Sequence, residues 1–161
     1  MSQRSTQHAT FTIERSYPAP PARVWSAWAD PEQKKRWFGP PELKGEHRLE
    51  FRVGGSERMT VQVPDGALYA FDSRFCDIVE GERIVHAYEM YRDRQRISVS
   101  LATIELAASP SPEGHGEGTT LTFTEQGVFL DGLDHAAERE HGTRELLDAL
   151  EAALRAPAQG A

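Results

Sequence analysis

Three titratable residues stand in patterns that would carry them toward an interior: His86, Glu125 and His141. Imidazole and carboxyl groups act as general acids and bases when they lie within hydrogen-bond reach of a substrate. His86 shares an alternating run with Ile84, Tyr88 and Met90, and Glu125 continues the parity of Leu121 and Phe123. A glutamate in an apolar pocket has its pKa raised by desolvation, which suits it to proton transfer near neutrality. These three are the candidate acid/base residues of any catalytic activity. For His86 the plainer reading is a satisfied core or cavity-rim histidine. No Ser/His/Asp, Cys/His or phosphate-loop constellation accompanies them, so no catalytic set is assigned.

Other reactive residue types resolve into structural roles. Arg52 precedes Gly54-Gly55 and has two readings, a clamp for an anionic ligand head or an ion pair holding a strand end; a buried guanidinium needs a partner, which favours the pair. His135, Glu138 and His141 are spaced three apart on a helical segment and so spread around it, unlike the i, i+4 pairs of zinc sites; they read as a solvated helix face with one residue near the cavity mouth, and no metal or cofactor is expected. Cys76 is the only cysteine; between Phe75 and Ile78 it reads as a small core residue, and no internal disulfide can form. The run Gln33-Lys34-Lys35-Arg36 reads as a solvated helix face. Gly54-Gly55 and Gly116-Glu117-Gly118 lack the spacing of nucleotide loops and read as turns. Gly142 interrupts a helix at a cost of about 1 kcal/mol relative to alanine, which a close approach to a strand or ligand would explain.

The elements that must position these groups follow from hydrophobic periodicity. Met1 to Ala9 reads as a flexible arm. Phe11, Ile13 and Tyr17 alternate as a strand, with Arg15 falling oddly on the apolar side. Pro18-Ala19-Pro20-Pro21 stops that strand, and Val24, Ala27 and Trp28 recur at helical spacing. Asp30 can cap a second short helix with Pro31 in its first turn, and the helices end at Trp37-Phe38-Gly39-Pro40-Pro41. Strand-like runs then cover 47–53, 58–63, 68–79, 84–90, 97–106 and 119–126, separated by turn signals such as Pro64-Asp65-Gly66. Residues 107–118 read as a flexible hairpin tip. From Leu133 through Ala136, Ala137, Leu147, Leu150 and Leu154 the period becomes helical over about 20 residues, and Pro157 to Ala161 reads as a fraying tail.

Strand, two short helices, six strands and one long helix predict an α+β domain with one helix across a single antiparallel sheet. Its limits are 10–155, between a flexible arm (1–9) and a flexible tail (156–161). The inward parity supplies candidate ligand-lining residues: Trp37, Phe38, Met59, Val61, Tyr69, Phe71, Phe75, Tyr88, Val99, Leu121 and Phe123, with Arg52 and His141 as polar additions. An apolar pocket carrying a few polar groups is the usual form of a small-ligand site, although the same residues would equally fill a core. A bulge would reverse the parity locally.

Composition bounds the rest. The 161-residue chain is 39% hydrophobic and 27% charged, the balance of a single globular domain. A net charge of -7 excludes nucleic acid as the main partner and disfavours anionic membranes. The polar N-terminus lacks a signal peptide's apolar stretch, and no run approaches the roughly 20 apolar residues of a membrane span, so a cytoplasmic protein is expected. An exposed edge strand leaves open the pairing of two chains as a homodimer.

The layout and several strings resemble the START/Bet v 1-like (SRPBCC) superfamily, and within it the bacterial single-domain form of the activator of heat-shock-90 ATPase family. The strings are Pro20-Pro21-Ala22-Arg23-Val24-Trp25, Asp30-Pro31-Glu32 through Arg36-Trp37-Phe38-Gly39-Pro40, and Phe51-Arg52-Val53-Gly54-Gly55, followed by Pro64-Asp65-Gly66, Gly118-Thr119-Thr120-Leu121-Thr122 and His141-Gly142-Thr143 before Leu146-Leu147-Asp148-Ala149-Leu150. The resemblance implies a helix-grip fold: a curved antiparallel sheet of six to seven strands wrapped around the long C-terminal helix, with two short helices after the first strand. It also implies a cavity between helix and sheet, since members of the superfamily bind lipids, hormones or polyketides and some cyclise or dehydrate polyketides. The family's name adds a chaperone partner or stress-associated role, although the eukaryotic activator uses a further N-terminal domain for which this chain is not expected to have room. Relatives often carry Trp after the helix glycine; Thr143 stands here, and either its smaller side chain enlarges the nearby cavity or a neighbouring side chain fills the space. The reading that follows is a pocket protein for an apolar, aromatic or acyl small molecule. The alternatives are a cyclase- or dehydratase-like enzyme and an interaction protein.

Overall fold

Prolines divide the N-terminal third of the chain. The computed structural model describes residues 3–40, 42–43 and 45–156. Strand β1 (Thr6–Tyr17) ends at Pro18, and helix α1 (Pro21–Ala29) begins with a proline in its first turn, where the missing N–H has no helical partner to lose. Asp30 ends α1 and caps α2 (Pro31–Lys34), its carboxylate accepting from the Glu32 amide at 2.9 Å. Five strands then run antiparallel, β2 (His47–Leu49), β3 (Ser56–Gln62), β4 (Leu68–Val79), β5 (Arg83–Arg92) and β6 (Gln95–Pro110), followed by β7 (Glu117–Leu130) and α3 (Ala136–Arg155).

The strands form one antiparallel sheet in the order β1-β7-β6-β5-β4-β3-β2. Every neighbour is joined through a turn except β1, which crosses to pair with β7 along its whole length, from Thr6↔Leu130 to Tyr17↔Thr119. Helix α3 crosses the inner face. Leu147 and Leu150 are buried with Ile13, Val24, Ile104 and Leu121 in a single core, each such side chain contributing about 1.5–3 kcal/mol by leaving water. The Tyr17 hydroxyl donates to the Leu147 carbonyl at 3.0 Å and ties β1 to the helix. This is the helix-grip α+β fold.

Several local expectations change. Thr6 to Ala9 belong to β1 and pair with Gly127–Leu130, because β7 runs past the apolar alternation and offers its backbone to them. Strand β2 is only three residues long; beyond it, Gly54 and Gly55 exchange backbone hydrogen bonds with Phe75. The tip between β6 and β7 is confined to 111–116, since pairing reaches Pro110↔Glu117. Cys76 is exposed: β4 bulges between Phe75 and Asp77 and leaves it as the unpaired residue. Leu133 lies before α3 and is exposed. The expected tail from Pro157 to Ala161, the first two residues of the expected arm, and Pro41 lie outside the described residues.

A second bulge inverts one strand. Met90 pairs with Ser98 and Tyr91 with Arg96, so Ile97 is the extra residue of β6. Beyond it Ser98, Ser100, Ala102, Ile104 and Leu106 face the core. Val99 and Leu101, expected inside from the alternation with Ile97, are 37% and 38% exposed on the outer face. An added residue shifts a period-two pattern by one and exchanges its faces.

Candidate functional site

The site lies where α2 and the segment after it, the middle of the sheet and the first half of α3 meet. A pocket of about 330 Å³ opens there, at the lower end of the range of small-ligand sites. Its walls are aromatic. Phe38 stands edge-on to Trp37 and to Phe71, with centroids 5.7 and 5.2 Å apart, and Phe71 lies 4.8 Å from Tyr88. Such pairs add about 0.5–1.5 kcal/mol beyond their area burial.

Of the residues read from the sequence as ligand-lining, Trp37, Phe38, Met59, Tyr69, Phe71, Tyr88 and Phe123 stand in this wall, joined by His86 and Glu125. Phe75 and Leu121 are buried in the core beside it. Val61 is half-buried on β3, and Val99 lies on the opposite face of the sheet. Arg52 is exposed in the turn after β2, paired with Glu50, so its position is that of a strand-end ion pair. His141 is also exposed; its Nε2 lies 2.9 Å from Glu145 one helical turn away. The helix turns Arg139, Gly142, Thr143, Leu146 and Leu147 toward the pocket, leaving His141 on the solvent side. Among the described residues no three His, Cys, Asp or Glu side chains converge on a point where a metal ion could sit.

Two polar clusters flank the aromatic wall. In the first, Lys34 Nζ donates to Glu57 Oε1 at 2.6 Å, and His47 Nε2 lies 2.7 Å from Glu57 Oε2. Lys34 is 3% exposed and Glu57 is fully buried, which corrects the reading of 33–36 as a solvated face for this residue. The ammonium stands over the rings of Phe38, at 4.5 Å, and Trp28, at 5.2 Å. Burial opposes ionisation of Glu57, but the charge of Lys34 and hydrogen bonds from His47 and Lys34 outweigh it and hold the carboxyl below its ordinary pKa.

The second cluster centres on Glu125. Its oxygens accept from the Tyr88 hydroxyl at 2.7 and 2.8 Å, from Ser100 Oγ at 2.8 Å and from Arg139 Nη1 at 3.3 Å. Arg139 Nη1 also donates to the Tyr88 oxygen, and Nη2 to Ser98 Oγ, both at 2.9 Å, with Asp134 completing the guanidinium's contacts. Burial pushes the Tyr88 phenol far up; Arg139 opposes that shift and Glu125 adds to it. Glu125 is therefore enclosed, with both oxygens engaged by the protein's own donors.

His86 lies on the sheet among these groups. Its Nδ1 is 2.9 Å from Ser73 Oγ, its ring stacks on Tyr88 with centroids 5.6 Å apart, and its Nε2 has no protein hydrogen-bond partner among the described residues. Burial lowers its pKa to about 4, and the charge of Lys34 acts in the same direction, so the ring is neutral at physiological pH. Chemically the site offers an aromatic slot, one neutral imidazole with a free nitrogen, and an ammonium whose carboxylate partner leaves N–H groups over.

Sequence reasoning missed Lys34, Glu57, His47, Ser98 and Arg139. Signals existed for two of them. Glu57 shares the parity of Met59 and Val61, and Lys34 precedes Trp37 and Phe38 by three and four residues, the spacing of one helical face. Gly142 has a reason other than the expected close approach: a Cβ there would meet no atom within 4 Å, and the residue borders the pocket.

A family described as Activator of Hsp90 ATPase homolog 1-like protein matches residues 18–155. No functionally curated protein matches the chain. Among solved structures, an uncharacterized protein of Rhizobium leguminosarum is 45% identical with a TM-score of 0.86, the match covering 94% of this chain and 97% of that one. The Mll3558 protein of Rhizobium loti is also 45% identical, with a TM-score of 0.82 and coverage of 92% and 99%. Protein CV1439 of Chromobacterium violaceum is 27% identical, with a TM-score of 0.72 and coverage of 91% and 97%. Together with the helix-grip fold, the family match over all but the ends of the chain places this protein in the Activator of Hsp90 ATPase homolog 1-like family.

Proposed function

We propose that this protein binds a small, flat, largely apolar molecule in the pocket between the sheet and α3, and that binding rather than turnover is its primary activity. The observation that carries this reading is the pocket itself: about 330 Å³ lined largely by aromatic side chains and bordered by Gly142 and Thr143, where the helix withholds bulk. A concavity of this size, mostly apolar and carrying a few polar groups, has the usual form of a small-ligand site. The proposed ligand contacts are Trp37, Phe38, Met59, Tyr69, Phe71, Tyr88 and Phe123. A catalytic reading rests on His86 alone, since Glu125 is saturated by its own partners and His141 faces solvent. One neutral imidazole without a second free acid or base supports recognition better than proton relay.

A thermal-shift screen with fatty acids, sterols, aromatic polyketides and flavonoids, with ATP as control, tests the proposal. A ligand present at 100 times its Kd adds about 2.7 kcal/mol, a rise of roughly 5–10 °C for a chain of this size. A rise confined to one apolar class supports a pocket protein. A flat response across every class overturns it.

A further inference from the structure

The pocket's polar atoms are not equivalent. We infer that its Lys34 end is a hydrogen-bond-donor subsite for the uncharged carbonyl oxygen of an aromatic ligand. This deepens the proposed function and rests on it. Lys34 has three N–H groups; one is taken by Glu57, and the ammonium stands over the ring faces of Phe38 and Trp28. Trp28, also in the wall, carries an indole N–H that is buried with no partner among the described residues. Leaving a buried donor unmet costs about 1–3 kcal/mol. Both groups donate only. The nearest carboxylate has nothing left to offer a ligand hydroxyl, because Glu57 gives one oxygen to Lys34 and the other to His47. An end that presents donors and lacks free carboxylate oxygens selects an acceptor: a carbonyl.

Charge makes that acceptor neutral. Lys34 is already matched by Glu57. The wall and its immediate partners hold two basic side chains, Lys34 and Arg139, against four acidic ones, Glu57, Glu125, Asp134 and Glu138. A carboxylate entering this space would meet a net negative surround. A ketone gains the donors without that repulsion, while its ring lies against Phe38 and Phe71.

Fluorescence titration of the full chain with three probes of one shape tests the subsite: acetonaphthone, isopropylnaphthalene and naphthoate, substituted at the same ring position. The ketone is expected to bind about tenfold or more tightly than the hydrocarbon, the difference one charge-assisted hydrogen bond makes, and naphthoate more weakly than the ketone. In the double variant Lys34→Met/Glu57→Gln, which leaves no unpaired buried charge and only the Trp28 N–H to donate, the ketone's advantage should shrink by about fivefold or more while the hydrocarbon's affinity holds. Equal binding of ketone and hydrocarbon by the wild type, an advantage undiminished in the double variant, or naphthoate binding tightest would each overturn the subsite and leave the pocket standing. Failure of all three probes to bind overturns both. Should the double variant not fold, infrared spectroscopy of bound acetonaphthone decides the matter: its carbonyl stretch must lie below its frequency in hexane, and an unshifted band overturns the inference.

Discussion

Lys34 and Glu57 form an ion pair 2.6 Å long with both side chains withdrawn from solvent. It joins α2 to β3 across the pocket's edge. Removing two charges from water costs several kcal/mol each, and the pair is tolerated because its geometry is short and His47 satisfies the second carboxylate oxygen.

Lys34→Met leaves Glu57 buried with only His47 beside it. The variant should lose about 3 kcal/mol or more of stability, whereas Lys34→Met/Glu57→Gln should recover most of that loss, since breaking a buried pair costs more than replacing it whole. Urea denaturation of both variants measures the difference. A single variant as stable as the wild type would show that the pair does not form.

The Tyr88–Glu125–Arg139 cluster should behave as a unit. Tyr88→Phe removes a donor from Glu125 and an acceptor from Arg139, and should cost about 1–3 kcal/mol. Glu125→Leu takes one of two carboxylates from the Arg139 guanidinium, leaving Asp134, and strips the Tyr88 and Ser100 hydroxyls of their acceptor, and should cost about 1–3 kcal/mol. In a double-mutant cycle the two losses should fall short of additivity by roughly 0.5–3 kcal/mol. Strict additivity would mean that the groups act independently.

Acid should destabilise the protein through His86. Its pKa is lowered from 6.5 to about 4 by burial, with Lys34 adding to the effect, so the unfolded chain binds a proton in a pH range where the folded chain does not. The stabilisation is therefore complete above about pH 6.5 and is lost as pH falls toward 4, up to about 3 kcal/mol from this one group. Glu57, whose carboxyl is held low, contributes a loss of the same sign below the ordinary carboxylate range. His86→Phe should flatten the stability profile between pH 6.5 and 4 relative to the wild type. Parallel profiles would refute a buried neutral imidazole.

Gly142 separates stability from ligand capacity. Nothing lies within 4 Å of where its Cβ would be, so Gly142→Ala should stabilise the helix by about 1 kcal/mol, raising the Tm by roughly 2–4 °C. Thr143→Trp adds bulk at a position in the pocket wall. It should weaken the best ligand of the thermal-shift screen by at least tenfold while the circular dichroism spectrum stays that of the wild type. Undiminished binding in Thr143→Trp would move the ligand away from this end of α3.

Much of the architecture was legible in the residues because it follows from local rules. Alternation in Phe11-Ile13 and Ile84-His86-Tyr88 is the pleat of a strand written in side chains, and the spacing of Leu147, Leu150 and Leu154 is one helical face. Pro20-Pro21 and Asp30-Pro31 mark helix starts through the chemistry of a missing N–H and a capping carboxylate. These depend on neighbours a few positions away, so the sequence alone determined the α+β class, the element order and the helix that the sheet grips. The tertiary structure decided the rest. Whether Val99 faced in or out depended on one extra residue, Ile97, in the pairing of β6 with β5, and no periodicity announces a bulge. Likewise the carboxylates that hold Lys34 and Arg139 in the interior lie 23 residues away at Glu57 and 14 residues away at Glu125. A charged side chain reads as solvent-facing until its partner is known, because burial becomes affordable only when a distant group arrives to neutralise it.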